Sequence, residues 1–109
     1  MPSMNNPHDS ASPAQRISAQ VRLGIETRRQ RMAKGLSQRR FVQMLGLRAH
    51  SNLVDYELGR RLPPADIVMA CEKELSLNSG RLRLLHSMAM SERAQEWSRK
   101  AEEEAKKKA

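Results

Sequence analysis

Two features of this chain could do chemistry: a crowd of guanidinium groups, and a short polar run, His50-Ser51-Asn52 with Asp55, set between Gly46 and Gly59. Ten Lys or Arg residues lie from Arg22 to Arg61 against three acids, Glu26, Asp55 and Glu57, while the 109 residues together carry a formal charge of +8. Nearly all the excess charge therefore sits in one stretch, the footprint expected of a polyanion partner. Asn52 could read adenine through paired hydrogen bonds to N6 and N7, and Asp55 could accept from cytosine N4. Arg39, Arg40, Arg48, Arg60 and Arg61 are candidates for phosphate. Plainer roles stand beside these: Asn52 packing or capping locally, Asp55 orienting a neighbour, His50 as a polar surface residue, the arginines solvated. The Arg28-Arg29 pair reads as a solvated helix face.

Other chemistries find little to work with. There is no phosphate-cradling glycine loop, no metal-ligand spacing and no convincing nucleophile–base pair, so an enzyme is the weakest reading. Phe41, Tyr56 and Trp97 are the only aromatics, which argues against the stacking platforms of single-strand binders. The single cysteine, Cys71, cannot close an intrachain disulfide and falls on an apolar stripe, where a core role is expected. It points to a reducing, cytoplasmic setting. No apolar run approaches the length of a membrane span, and the N-terminus lacks the order of a signal peptide.

Those polar groups need elements to hold them. Residues 1–18, with Pro2, Pro7 and Pro13 among Ser and Asn, lack periodicity and read as a disordered arm. A first helix follows from about Arg16, with Ile17, Val21, Ile25, Arg28 and Met32 at near-helical spacing and Gly35 as its stop. Ser37 caps a second helix with Phe41, Met44 and Leu45 on its apolar face, ended by Gly46. A third runs from His50 to about Leu58 with Leu53 and Tyr56 inward. Pro63 and Pro64 open a fourth, where Ile67, Val68, Cys71 and Leu75 form the buried stripe. Asn78 or Ser79 caps a fifth carrying Leu82, Leu85 and Ala89. Met32, Met44 and Met69 are expected to fill gaps on apolar faces. Beyond Ser91 the chain stays helix-prone but thins to Ala94, Trp97 and Ala101, ending in three acids and three lysines, a solvated and frayed helical tail. Trp97 is the residue this pattern leaves over, suited to packing back on the domain or to a contact surface.

Taken in order, Gly35-Leu36-Ser37-Gln38, Phe41-Val42, Leu45-Gly46-Leu47, Leu53-Val54-Asp55-Tyr56-Glu57-Leu58-Gly59-Arg60-Arg61 and Pro63 resemble the Cro/repressor, or xenobiotic-response-element, helix-turn-helix family over about Val21 to Leu85. The resemblance implies a third helix inserted in the major groove, with His50, Ser51 and Asp55 at base edges and Asn52 beside them. It implies phosphate at Ser37 and Gln38, and an ion pair between Arg31 and Glu57. Two departures stand out. The turn before the third helix is one residue longer, with Arg48-Ala49 in the extra space. Arg39-Arg40 occupy a first helical turn where acids suit the helix dipole.

The expectation is an all-α, compact five-helix bundle containing a helix-turn-helix, with a helical C-terminal extension: an arm over 1–18, the DNA-binding domain over 19–90 and a charged tail over 91–109. The expected function is sequence-specific binding of double-stranded DNA as a transcriptional regulator, as a homodimer, near the nucleoid, without cofactor or metal. The alternative is a protein-interaction adaptor of antitoxin or coactivator type, working through the fifth helix and Trp97, since a fold alone does not fix function.

Overall fold

The computed structural model describes residues 17–108. Helix α1 (Ala19–Ala33) starts where the Ser18 hydroxyl accepts from the Val21 N–H at 3.2 Å. Helix α2 (Gln38–Leu45) starts the same way, Ser37 accepting from the Arg40 N–H at 3.0 Å, and ends at Gly46 in the left-handed conformation. Helix α3 (His50–Glu57) has no side-chain cap. Helix α4 (Ala65–Glu74) follows Pro64, and α5 (Arg81–Lys108) follows Ser79, whose hydroxyl accepts from the Arg81 N–H at 3.2 Å. The described residues thus form an all-helical bundle whose last helix continues past the others, the architecture anticipated above. No helix among them is long and apolar enough to cross a membrane.

Leu23 of α1, Phe41 and Leu45 of α2, Leu53 of α3, Val68 and Cys71 of α4, Leu75, and Leu82 and Leu85 of α5 make one core. Helix α1 packs on α3 and α5, α2 on α3 and α4, and α4 on α5. The α1–α3 contact is close because Gly24 lies there: a Cβ at this position would overlap the carbonyl oxygens of Tyr56 and Glu57. Gly59, at φ 74°, turns the chain out of α3 in the left-handed region, against the backbone of Val21.

Three expectations are corrected. The stripe Ile17, Val21, Ile25, Arg28 and Met32 does not face the core; Ile17, Ile25 and Met32 are each more than half exposed. The buried face is instead Ala19, Leu23, Gly24, Thr27 and Arg31. Hydropathy misreads it because close packing selects small residues, and because Thr27 and Arg31 are buried with their polar atoms bonded, Thr27 Oγ1 donating to the Leu23 carbonyl at 2.7 Å. Met32 and Met69 are exposed rather than gap-fillers, whereas Met44 packs against the core. Pro63 and Pro64 precede α4 instead of forming its first turn: Pro64 bars Pro63 from helical torsions, and Pro64 itself is the extended N-cap (φ −62°, ψ 159°). The tail is helical to Lys108, as expected. Of the arm expected over 1–18, residues 1–16 lie outside the described residues, while Ser18 belongs to the start of α1.

Candidate nucleic-acid interface

Helix α3 is eight residues long, and its inward positions are taken by Leu53, Tyr56 and Glu57. At about 100° per residue this leaves Ser51, Val54, Asp55 and Leu58 outward. Ser51 is exposed and Asp55 is partly so, and α3 packs closely on α1 and α2 rather than on the C-terminal helix α5.

The anchor beneath this surface is a buried ion pair. Arg31 of α1 donates from Nε to Glu57 Oε2 at 2.7 Å and from Nη2 to Oε1 at 3.1 Å, and its Nη1 donates to the Leu36 carbonyl at 2.6 Å. The Glu57 side chain is 1% exposed. The fork holds α3 to α1 at a fixed angle, and it ties down the chain that leads into α2.

From Glu57 the network continues outward. Gln38, first residue of α2, donates from Nε2 to Glu57 Oε1 at 3.0 Å. Its carbonyl oxygen therefore faces His50 Nε2 at 3.0 Å, and that nitrogen must be the donor. His50 thus carries its hydrogen on Nε2, and Nδ1 is left to accept when the ring is neutral or to donate when it is charged. The Arg31–Glu57 pair is the one the family resemblance implied; its continuation through Gln38 to His50 left no sign in the sequence pattern, because the network joins three separate helices.

The other end of α3 is braced as well. Arg61 Nη1 donates to Asn52 Oδ1 at 3.0 Å, and its guanidinium carbon lies 6.0 Å from the Tyr56 ring centroid. Arg60 Nη1 lies 3.8 Å from Asp55 Oδ1. Gln20 of α1 donates to the Gly59 carbonyl at 2.8 Å, pinning the loop that carries both arginines. Asn52 and Asp55 are therefore held by cations beside them, and both cations remain largely exposed.

The predicted residues come together around one helix. His50, Ser51, Asn52 and Asp55 are on α3; Arg60 and Arg61 follow it; Arg48 precedes it and is exposed; Ser37 and Gln38 stand at the start of α2 beside His50, with Arg39 and Arg40 exposed in the next positions. Ser37 Oγ is already engaged as the helix cap. Two things were missed. Val54 and Leu58 belong to the outward side of α3 and, with Val21, Ile25 and Met32 of α1, line an open groove of about 860 Å³. Arg28 and Arg29 are exposed, as expected of a solvated face, but that face rims the groove next to α3. The signal for Val54 and Leu58 was present in the helical wheel of α3, once Leu53, Tyr56 and Glu57 are assigned inward.

The arrangement defines a class: an all-α bundle that exposes one short helix, braced at both ends by arginine and glutamine side chains. No family model, curated protein or solved structure matches the chain. Among the described residues, no group of three or more His, Cys, Asp or Glu could hold a metal ion.

Proposed function

We propose that α3 enters the major groove of double-stranded DNA and that the protein is a sequence-specific transcriptional regulator, acting in the cytoplasm at the nucleoid. The observation that carries this is the setting of α3: exposed Ser51, partly exposed Asp55, and Arg48, Arg60 and Arg61 in the flanking chain. In this reading His50, Ser51, Asn52 and Asp55 meet base edges. Val54 and Leu58 offer apolar contact to thymine methyls. Arg39, Arg40, Arg48, Arg60 and Arg61, with the α2 start at Ser37 and Gln38, meet phosphates and set the register. Phosphate contact at Arg39 and Arg40 would offset the cost of two cations in a first helical turn.

One module of this size buries too little DNA surface for high selectivity, so the reading includes a homodimer on paired half-sites. Electrophoretic mobility shift across salt tests it. Specific complexes should survive competitor DNA, and affinity should fall with a log–log slope of about −0.9 per phosphate contact. Arg61→Ala should shallow that slope by about 1. Binding that is independent of salt would defeat the reading.

A second reading is favoured by one observation, the exposed half of α5 with Trp97 at 73% exposure. In that reading the chain is an adaptor that holds a protein partner through α5. Truncation after Ser91 separates the two: loss of a partner with DNA binding intact favours the adaptor.

A further inference from the structure

From Met90 to Lys108 every residue of α5 is exposed. Most helical stability in proteins comes from packing of an amphipathic face, which this stretch does not bury. Glu102, Glu103 and Glu104 stand four residues before Lys106, Lys107 and Lys108, which supports the last turns. That pattern gives no role to Trp97. At about 100° per residue, Ala94, Trp97, Ala101 and Ala105 share one strip that continues from Met90. Arg93, Lys100 and Glu104 border one side of it, and Ser91, Ser98 and Glu102 the other. The strip alternates one bulky ring with small residues, as a seam between two closely packed helices does.

We propose that this strip pairs with the same strip of a second copy, antiparallel, with the twofold axis near Ala101. Three features of the sequence favour that occupant and that direction. The axis near Ala101 sets Trp97 against Ala105 of the other copy, a large residue against a small one, and lets the two Ala101 residues approach. In an antiparallel pair each border faces its own counterpart, so Lys100 meets Glu104 of the second copy twice. A parallel pair would set Trp97 against Trp97, the three glutamates beside three glutamates, and the lysines beside lysines. The seam from Ala94 to Lys108 is roughly 22 Å long, well short of the area of a stable complex. The dimer is therefore weak, of about micromolar affinity. From Leu85 to Ala101 the helix rises about 24 Å, which puts the two bundles roughly 48 Å apart at their α5 roots.

This inference rests on the homodimer part of the reading above but is tested without DNA. The experiment is sedimentation equilibrium of the full chain, of Lys100→Glu, of Glu104→Lys, and of an equimolar mixture of the two variants, with helicity checked by circular dichroism. The native chain should dimerise with rising concentration, and each single variant should dimerise about tenfold more weakly. Mixing should restore native-like dimerisation, because only the mixed pair sets opposite charges together across the seam. A native chain that stays monomeric to several hundred micromolar, or a mixture no better than either variant alone, would overturn the proposal. Duplex binding by the same variants is measured separately, so a failed pairing and a failed DNA reading give different results.

Discussion

Arg31 and Glu57 show how much a single buried contact can carry. With 1% of the Glu57 side chain and 8% of the Arg31 side chain exposed, removing one partner leaves a charge in the core with no counter-charge. Glu57→Ala should cost about 3–5 kcal/mol in a denaturant melt, and it should also release Gln38 and, through it, His50. A loss under about half a kcal/mol would rule out that role. Gly24 is constrained differently, by space. Gly24→Ala pushes a methyl group into the carbonyls at the end of α3, and should cost about 1–3 kcal/mol by separating α1 from α3. Thermal melts check it. Cys71 gives a third test. Burial, then the charges of Glu57 and Glu72, push its thiol up from 9.0 to about 12. The folded protein thus holds a proton there that the unfolded chain loses above pH 9. Its contribution to stability is complete below pH 9 and is lost as pH rises from 9 towards 12, by at most about 1.4 kcal/mol per pH unit. Cys71→Ala should flatten the stability profile in that window, and the native thiol should react with a disulfide reagent at pH 8 only as the protein unfolds.

At the scale of helices, the five elements and their stops were legible because serine caps, glycine stops and prolines act locally. Ser37 and Ser79 accept the backbone hydrogen bond at a helix start as expected, whereas Ser18, which does the same for α1, falls in the stretch expected to be the arm. Which face of α1 turns inward was not legible. Ile17, Ile25 and Met32 form the more apolar strip, yet the helix buries Ala19, Leu23, Gly24, Thr27 and Arg31. The reason is tertiary: α3 approaches so closely at Gly24 that a Cβ there would overlap its last carbonyls, and the ion pair draws Arg31 inside. For α3, composition alone named its polar residues, but the bonds that brace them, Gln38 to His50 and Arg61 to Asn52, depend on helices and loops distant in sequence. An apolar strip left on the outside of α1 also changes how the interface reads, since Val21, Ile25 and Met32 continue the outward side of Val54 and Leu58 into one groove.

For the whole molecule, the charge asymmetry and the exposed helix bear on the same question. In the proposed reading, an exposed α3 with Arg48 before it and Arg60 and Arg61 after it, Arg61 held by its bond to Asn52, would meet a duplex with little rearrangement. The most direct measurement is selection of bound duplexes from a random DNA pool, run in parallel with the native chain and with a Ser51→Ala, Asn52→Ala double variant. The account predicts a short enriched motif whose preferred bases change at defined positions in the variant. A pool that is never enriched, or one motif shared unchanged by both proteins, would contradict it.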